Sequence, residues 1–553
     1  MYKQVFDPVG DSLLASALVA ALPLITLFVL LGGLRVRAII AAPAALLVAV
    51  LIAIIAYDEP VGQTVLSASE GAAFGFFPIL WIVIAAIWVY NMTDATGHFA
   101  VLRRAFGRLS DDTRVQAVVV AFSFGALIEG LAGFGAPVAI TSVVLVGLGF
   151  KPVKAATLAL IGNTAPVAFG SIAVPIVTLG ETTGISKDTL GGMVGNQTPI
   201  LAIFVPFILL YVVDGRRGLR EAWPAALVGG LTFGLMQSFS AHLLSVELTD
   251  ILAALVSTAA MIALLRVWSP AGAQASGGGQ RPAIAGAAAM DPAFEEAVRR
   301  RDRESDTPGQ TFTALLPYLI IISVFILAQV GPIKDALAHG EKDFAWPGLH
   351  ITDPTGETVS TVTYKFNWLP ASGTLMFACG LLTMLALRIP PAVALRTMGA
   401  TLKQLAPAIL TVMTVLALAY VMNQSGQTSS LGHWLAGAGG VFAFLSSIVG
   451  WLGVAVTGSD TSSNALFGTL QVTAAKDAGI NPTLLAAANS SGGVLGKMLS
   501  PQNLAIGAAA VGMAGKEGDL FRKVIGWSIV MVLGMAALVY LQSTDVLSWM
   551  VVD

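Results

Sequence analysis

The sequence predicts an all-α polytopic membrane protein with two re-entrant hairpins and two broken helices, arranged as an inverted repeat. Three observations predict this class: few charged residues, a series of apolar segments long enough to cross a bilayer, and two similar segments that enter the membrane from opposite faces. The few charged residues that fall inside apolar segments are then the first candidates for function.

Charged residues are scarce throughout the chain. Of its 553 residues, 56% are hydrophobic and only 11% are charged, whereas a typical soluble domain has about 25% charged residues. So few charges could not cover the surface of a soluble fold, so a soluble multidomain enzyme is excluded. The net charge of -2 argues against a nucleic-acid partner, and the single Cys379 excludes a cysteine-rich metal centre. The sequence lacks catalytic and nucleotide-binding motifs, so we expect no enzyme activity, cofactor or metal site.

Apolar runs of about 20 residues, the length that crosses a hydrocarbon core of roughly 30 Å, recur along the chain. Two shorter runs, 136–150 and 461–475, have the length of hairpin arms. The runs of spanning length are 12–34, 38–57, 72–93, 115–135, 153–180, 196–213, 222–241, 250–268, 312–333, 370–388, 404–423, 441–458, 483–513 and 524–546.

Basic residues orient these runs, because cytoplasmic loops of membrane proteins are enriched in Lys and Arg. Basic connections alternate with acidic or neutral ones, such as Asp58/Glu59 and Glu247/Asp250, which we place outside. The alternation predicts that the N-terminus and the C-terminus both lie outside. The basic connections contain Arg35, Arg37, Arg103, Arg104, Arg108, Arg114, Arg216, Arg217, Arg220, Arg388, Arg396, Lys403, Lys516, Arg522 and Lys523.

Two segments of the chain, 149–176 and 479–506, resemble each other. Each follows an apolar hairpin that carries one acid, Glu129 in the first and Asp460 in the second. The first hairpin starts from the cytoplasmic side and the second from the outside, so the units form an inverted repeat, the common plan of secondary transporters. The aligned residues include Gly149 with Gly479, Pro152 with Pro482, Ala156 with Ala486 and Gly162 with Gly492.

The repeated units alternate with scaffold helices along the chain. The polar segment 269–311 has charges at helical spacing and separates the two halves. The predicted divisions are 1–114 for N-terminal scaffold helices, 115–213 for the first hairpin and broken helix, 214–268 for scaffold helices, 269–311 for a cytoplasmic linker, 312–427 for scaffold helices with an outside loop at 334–369, and 428–546 for the second, inverted hairpin and broken helix.

Each repeated unit contains a helix poorly suited to span a membrane. Residues 163–171 and 489–503 place Gly, Pro, Asn and Ser where the middle of a span would lie. Pro removes a backbone donor, and the freed groups are tolerated only inside protein or beside a watery cavity. Half-helix N-termini at such breaks carry partial positive charge and can bind a carboxylate. Simple kinks that serve helix packing would leave the same pattern.

Three charged residues, Glu129, Asp460 and Lys497, lie inside these apolar or small-residue stretches. A charge at the bilayer centre costs about 2.5–3.5 kcal/mol, so such residues usually face a cavity. Glu129 and Asp460 are candidates for proton coupling. The structural alternatives are that Glu129 pairs with Lys497 or caps a hairpin and that Asp460 belongs to a helix N-cap. Lys497 is either the counter-ion of an anionic substrate or the partner of an acid.

Small and polar residues near the hairpin tips and helix breaks are the candidates for substrate binding. Their amides and hydroxyls could bind a carboxylate, a hydroxyl group or a cation, or could join helices by hydrogen bonds. The candidates are Gly130, Gly133, Phe134, Gly135, Asn163, Thr164, Ser459, Thr461, Ser462, Asn464, Asn489, Ser490, Ser491, Lys497, Ser500, Gln502 and Asn503.

Several long motifs, in order, are similar to those of the bacterial L-lactate permease family. They are GALIEGLAGFGAPVAIT, LVGLGFKP, NTAPVAFGS, GWLGVAVTGSDTSSNALFG and SSGGVLGKMLSPQNLAIGAAAVG. The resemblance runs nearly end to end and is weakest at 269–311 and 334–363. It implies proton-coupled uptake of small 2-hydroxymonocarboxylates (L-lactate, D-lactate and glycolate) across the bacterial inner membrane. It also implies kinship with ion-transporter folds built from two hairpins and two broken helices.

The residues themselves leave two other functions open. The same architecture is compatible with Na+-coupled transport of a carboxylate, in which Ser, Thr and Asn of the hairpins would be cation ligands. A proton-conducting subunit of a respiratory enzyme also uses broken helices. Such a subunit would have several Lys and His residues inside its spans, whereas Lys497 is the single one found in this sequence. The expected partners are a small carboxylate, protons and the lipid bilayer, and a homo-oligomer is left open.

Overall fold

The structure is a computed structural model that describes residues 2–34, 36–107, 109–110, 112–133, 135–270, 306–328, 330–513 and 515–552. Among these residues, nine helices are long and apolar enough to cross a membrane, and a tenth span arises if one bent pair is counted. The chain is therefore a multi-pass, mainly helical membrane protein, as its composition predicts. Most of the predicted linker lies outside the described residues, as do Arg35 and Arg108 of the basic connections.

The N-terminal scaffold helices follow the predicted apolar runs. The predicted span 72–93 is part of a longer helix that is interrupted at Phe77, whose φ of -132° is not helical. Pro78 follows, and it lacks the backbone donor that would continue the helical ladder. The helix bounds are Leu13–Ala20, Leu22–Phe28, Val29–Gly33, Ala38–Ile55, Val61–Phe74, Gly75–Leu80, Trp81–Ala95 and His98–Gly107.

The first hairpin covers residues 113–147. Gly133 and Gly135 at its tip have positive φ angles of 23° and 88°, which L side chains rarely adopt, so glycine permits this turn. A Cβ built on Gly125 would lie 3.4 Å from Thr141 Cγ2, so the two arms pack closely. Its helices are Thr113–Ala117, Val118–Phe124, Gly125–Ala132 and Ala136–Gly147.

A buried arginine attaches the start of the first hairpin to the neighbouring scaffold. Arg114 is bonded to Asp112 at 2.7 Å and to Glu221 at 2.6 Å. Asp112 also caps the helix by accepting from the backbone of Arg114 and Val115. Burial raises the pKa of Asp112, but the hydrogen bonds and charge of Arg114 outweigh it, so this pKa lies below its usual value.

The first broken helix consists of Pro152–Gly162 and Val167–Thr183, which are bent by 67° relative to each other. The bend lies at the start of the predicted break 163–171, so the Pro and Gly pattern located it correctly. Beyond the bend, Ser171, Ile172 and Ala173 have positive φ angles, so the backbone stays irregular for another turn.

The second hairpin consists of Val441–Thr457 and Asp460–Asp477, joined at Gly458, whose φ is 77°. The second broken helix follows. It contains Pro482–Gly496, a 3-10 turn at Lys497–Leu499, the extended Ser500 and the helix Pro501–Ala510. The backbone therefore departs from the helix inside the predicted stretch 489–503.

The two units contact each other in the same way. The second arm of each hairpin packs against the distal half of the other unit's broken helix: Ala136–Gly147 against Pro501–Ala510, and Asp460–Asp477 against Gly170–Thr183. Glycine also recurs at the aligned positions. A Cβ on Gly162 would overlap the backbone of Ala121, and one on Gly492 would overlap the backbone of Ser447. Each broken helix thus touches the backbone of the first arm of its own hairpin.

The remaining helices form the scaffold. The element Thr198–Leu243 is interrupted at Asp214 and Gly215, and Gly234 beyond the turn lies against Pro199. It is therefore two antiparallel arms, as the runs 196–213 and 222–241 predict. The other helices are Lys187–Val194, Thr249–Val267, Pro308–Ala328, Gly331–Ala338, Ser360–Val362, Ser372–Ala386, Pro391–Ser425, Gln427–Ala436, Glu517–Gln542 and Ser548–Met550.

Four short strands belong to the N-terminal segment and to the predicted outside loop. Tyr2–Lys3 pairs in parallel with Ile351–Thr352, and Asp343–Ala345 pairs antiparallel with Thr363–Lys365. The Tyr2 hydroxyl also donates to the Ser425 carbonyl at 2.9 Å. The N-terminal segment, the loop and the end of the helix Pro391–Ser425 are therefore joined at one end of the bundle.

Adding one methyl group at Gly492 should destabilise the protein. The Gly492→Ala Cβ would overlap the Ser447 backbone, which cannot move as a flexible side chain can, so we expect a loss of about 1–3 kcal/mol. The measurement is the midpoint of thermal unfolding in detergent. Gly534→Ala is the matched control, because a Cβ there has nothing within 4 Å. An unchanged midpoint for Gly492→Ala would contradict the close backbone contact.

Candidate functional site

The hairpin tips and the helix breaks meet inside the protein. Gly133 at the first tip contacts Ser171 of the first broken helix. A Cβ on Gly135 would lie 3.4 Å from Asn503 Oδ1, so the same tip also reaches the second broken helix. A Cβ on Gly458 would lie 2.9 Å from Gln502 Oε1, which puts the second tip beside the same helix. The structure therefore brings most of the predicted site residues into one region.

Glu129 and Lys497 form a buried ion pair in this region. Lys497 Nζ lies 2.5 Å from Glu129 Oε1, and the side chains are only 9% and 3% exposed. Asn163 Nδ2 donates to the other carboxylate oxygen at 2.9 Å. The pair joins the first hairpin to the second broken helix. The structural alternative for Glu129, pairing with Lys497, is thus present in this conformation.

The backbone of the first broken helix passes directly over the Glu129 carboxylate. A Cβ on Gly170 would lie 2.7 Å from Glu129 Oε1. Gly170 has no side chain, so the carboxylate can approach the irregular backbone that follows the bend. Glu129 therefore contacts the first broken helix through Asn163 and Gly170 and the second through Lys497.

The break at Lys497 is stabilised by two of the predicted substrate-binding residues. The Lys497 carbonyl accepts from Ser500 Oγ and from Asn503 Nδ2, both at 3.0 Å. Ser500 Oγ also accepts from the backbone of Asn503 and so caps the helix Pro501–Ala510. In this conformation Ser500 and Asn503 satisfy freed backbone groups. They thereby hold the backbone of Lys497 in place, from which its side chain extends.

Asp460 is the acid of a second buried polar cluster. Ser490 Oγ donates to Asp460 Oδ2 at 2.5 Å, and Asn464 Nδ2 lies 3.5 Å from the same oxygen. Asn464 also donates to the Pro175 carbonyl and accepts from Asn489 Nδ2 at 2.9 Å. The expectation of a helix N-cap applies to the neighbouring residue, because the Ser459 side chain accepts from the backbone of Ser462.

The remaining residues that were predicted to bind substrate differ in how deeply they are buried. Thr461, Ser462 and Ser491 are buried, and Ser491 Oγ has no hydrogen-bond partner among the described residues. Thr164 is also buried and donates to the Ile161 carbonyl at 2.7 Å. Gln502 is exposed in this conformation. Phe134 lies outside the described residues.

Sequence reasoning missed a third acid near the ion pair. Asp250, which the sequence places where an acidic connection meets the start of the run 250–268, lies in the first turn of the helix Thr249–Val267 and is 0% exposed. A Cβ on Gly130 would lie 3.3 Å from Asp250 Cβ. Glu129 and Lys497 are the charged side chains that act on it electrostatically. An acid at the edge of an apolar run is equally compatible with a loop, so the sequence carried no signal for this placement.

Three further acids, which the sequence did not single out, are buried as well. Glu59, Glu70 and Glu247 are at most 3% exposed. Glu247 is ion-paired with Lys187 and accepts from Ser372 Oγ at 3.0 Å, and Glu70 accepts from Gln424 Nε2 at 2.8 Å. These acids contact scaffold elements, whereas Glu129, Asp250 and Asp460 lie near the breaks.

The polar region is closed in this conformation. A cavity of about 10 Å³ lies beside the first break, lined by residues such as Thr164, Ala165 and Val494, and a cavity of about that size holds one water molecule. The described residues contain no group of three or more His, Cys, Asp or Glu side chains arranged to bind a metal ion. A substrate could enter only if groups that now bond to each other separate.

The comparisons with known proteins agree on one family. A profile described as L-lactate permease matches residues 16–544. The chain is 40% identical to an L-lactate permease of Salmonella typhimurium over 564 residues, which covers 100% of both chains. It is also 40% identical to a glycolate permease of Escherichia coli over 563 residues, which covers 98% of each. These relatives are permeases and not enzymes.

Among solved structures, the chain is similar to the MtrF protein of Neisseria gonorrhoeae, from a class of antimetabolite efflux pumps. The identity is 13% and the TM-score 0.45, with 86% of this chain and 83% of that chain covered.

Breaking the buried ion pair from one side should destabilise the protein strongly. In Lys497→Met, Glu129 would lose its cation and would have to take up a proton or stay as an unpaired buried charge, and removing one partner of a buried pair costs about 3–5 kcal/mol. The double variant Glu129→Gln with Lys497→Met removes both charges and should recover most of the loss. Thermal unfolding in detergent measures both, with Lys523→Met at an exposed position as the control. Equal stability of Lys497→Met and the wild type would refute the ion pair.

Proposed function

The chain belongs to the L-lactate permease family, and on that premise we propose that it takes up L-lactate and the related 2-hydroxymonocarboxylates D-lactate and glycolate together with protons. The proposed location is the bacterial inner membrane. The observation that carries the proposal is the buried Glu129–Lys497 pair, because its lysine has the charge that a monocarboxylate needs and its glutamate can accept a proton.

Lys497 is the proposed counter-ion of the substrate. A carboxylate entering this region would compete with Glu129 for the ammonium group, since both are anions of the same kind. The proposed binding region lies between 129–137, 162–171, 459–464 and 489–503. The helix N-termini at the breaks would add backbone donors for the carboxylate.

Proton coupling follows from the exchange of partners at Lys497. When the substrate carboxylate takes the lysine, Glu129 is left buried without a cation, and the ionised form is then costly. Uptake of one proton makes it neutral. The empty site (Glu129 ionised, Lys497 charged) and the loaded site (Glu129 protonated, Lys497 charged, substrate anionic) then have the same net charge. One proton therefore accompanies one carboxylate.

The 2-hydroxyl group of the substrate is proposed to contact uncharged polar side chains around this lysine. Such groups recognise a hydroxyl group by donating a hydrogen bond to it and accepting one from it. The proposed binding residues are Gly130, Gly133, Phe134, Gly135, Asn163, Thr164, Ser459, Thr461, Ser462, Asn464, Asn489, Ser490, Ser491, Lys497, Ser500, Gln502 and Asn503, with Asp460 as a second candidate for proton coupling.

The inverted arrangement of the two units, with both termini outside, is part of the proposal. It is supported by contacts that join connections predicted on the same side. On the outside these are Tyr2 with Ile351 and Asn196 with Met550, and on the cytoplasmic side Arg114 with Glu221. The reciprocal packing of hairpin arms on broken helices also supports two related units. A homo-oligomer stays a prediction.

Na+ coupling is the second candidate, and the Asp460 cluster favours it. Hard cations take oxygen ligands, and Asp460 Oδ1 is a buried carboxylate oxygen with no hydrogen-bond partner among the described residues. The amide and hydroxyl groups of Asn464 and Ser490 lie next to it. Uptake driven by a Na+ gradient alone at fixed pH would favour this candidate over proton coupling.

Labelled L-lactate should enter liposomes that contain the purified protein and unlabelled L-lactate, by counterflow. D-lactate and glycolate should compete, because each presents one carboxylate and a 2-hydroxyl group to a single lysine. Succinate should compete poorly, since its second charge would be buried without a partner. Protein-free liposomes are the control. Competition by succinate alone would overturn the monocarboxylate proposal.

Glu129→Gln should separate binding from coupling. Glutamine resembles protonated glutamate, so counterflow of lactate should persist, while net uptake should no longer use the proton gradient. A gradient of about one pH unit supports about tenfold accumulation at one proton per anion, and this should fall to equilibration. Asp519→Asn, an exposed acid paired with Arg522, is the matched control. Unchanged proton-driven accumulation would eliminate Glu129 as the coupling residue.

A further inference from the structure

Asp250 is a buried acid that the exchange of partners at Lys497 does not use. It lies on the scaffold helix Thr249–Val267 and faces the first hairpin at Gly130. Its Oδ1 accepts from Gln237 Nε2 at 3.0 Å, and its Oδ2 has no hydrogen-bond partner among the described residues. The acid is thus fully enclosed and has one neutral donor.

The surroundings of Asp250 and Glu129 differ in one decisive respect. Glu129 has a cation at 2.5 Å and an amide donor on its second oxygen. Among the described residues, Asp250 has only the amide of Gln237 on one oxygen and no hydrogen-bond donor on the other. An ionised carboxylate without a cation is strongly disfavoured in a buried site, so Asp250 is the member of the pair of acids that carries a proton in the empty transporter.

Asp250 is also connected to the break that Glu129 contacts. Gln237, its donor, bonds at the same time to the Ala165 carbonyl at 3.2 Å, inside the bend of the first broken helix. On the other side of the same bend, Asn163 donates to Glu129. Gly130, next to Glu129 in the chain, leaves no side chain between the hairpin backbone and Asp250. The two acids therefore flank one short irregular segment.

We propose that Asp250 is a proton-relay residue that supplies Glu129 when a substrate carboxylate takes Lys497. The inference rests on the proposed function and adds the residue from which the coupled proton comes. The charged groups that act electrostatically on Asp250 from neighbouring elements are Glu129 on the first hairpin and Lys497 at the break of the second broken helix. Both change partners when substrate binds, and this exchange is the event that triggers proton transfer from Asp250.

The step balances in atoms and charge. The O–H bond at Asp250 breaks and an O–H bond forms at Glu129, whose cation has moved to the substrate. Asp250 is then ionised until a second proton arrives from the side to which the site is open. The loaded site ends with both acids protonated, one lysine cation and one substrate anion, so its charge equals that of the empty site.

The test is Asp250→Asn in liposomes with a pH-sensitive dye inside. Counterflow of L-lactate at equal pH should stay within about twofold of wild type, because exchange needs no release of the proton. Net uptake and the internal acidification that accompanies it should fall by about tenfold or more, the loss typical of removing a proton-transfer group. Binding should still weaken as pH rises, because Glu129 still competes for Lys497, whereas Glu129→Gln should lose this dependence.

Each possible result supports or refutes the proposal that Asp250 relays the proton. Net uptake by Asp250→Asn at the wild-type rate overturns it, and so does an equal loss of counterflow and net uptake in a well-folded variant, which indicates a structural role. Ser257→Ala, a buried polar position on the same helix, is the control. If Asp250→Asn does not fold, Gln237→Met is judged by the same two rates. Absence of lactate counterflow in the wild type would instead refute the proposed function.

Discussion

The ion pair between Glu129 and Lys497 is the interaction on which the arrangement of the two units depends. Its members are 368 residues apart, and each is almost fully buried. Neither charge could remain there alone, since burying an unpaired charge costs several kcal/mol. The first hairpin and the second broken helix must therefore fold against each other before either charge is satisfied. Under the proposed function, the same requirement would couple the exchange of this partner for a substrate anion to the uptake of a proton.

Around that pair, polar side chains satisfy the backbone that the breaks expose. The Lys497 carbonyl accepts from Ser500 and Asn503, the Ala165 carbonyl from Gln237, and the Pro175 carbonyl from Asn464. In a nonpolar environment such side-chain donors compensate for the backbone hydrogen bonds that an irregular helix loses. Side chains that look like ligands in the sequence are therefore also the groups that make the breaks stable. A residue bonded in this way can contact substrate only if the break itself rearranges.

The excess of buried acids over cations in this region favours coupled transport. Three acids, Glu129, Asp250 and Asp460, are within electrostatic range of the single Lys497. If all three were ionised, two negative charges would have no cation, and an anionic substrate would add a third. Under the proposed function, protons or other cations would therefore accompany the anion. Close packing reinforces this dependence, because glycines at the contacts bring backbones together and leave space for about one water molecule beside the first break.

The sequence by itself determined the membrane class, most spans and the two places where helices break. These follow from local chemistry: apolar length predicts a span, and Pro and Gly in mid-span predict a break. The motifs at those breaks also identified the family, which the full-length relatives confirm. Glu129, Asp460 and Lys497 were recognised because a charge inside an apolar run is conspicuous wherever it occurs.

Only the tertiary structure decided which of these residues meet. Glu129 had two possible structural roles in the sequence, and the fold selected the pair with Lys497 because the first hairpin packs on the second broken helix. Asp250 stood at the edge of an apolar run, where a loop and a helix start look alike, and the packing of Gly130 and Gln237 against it made it a buried acid. Burial is a property of contacts between distant segments, so no local pattern contains it.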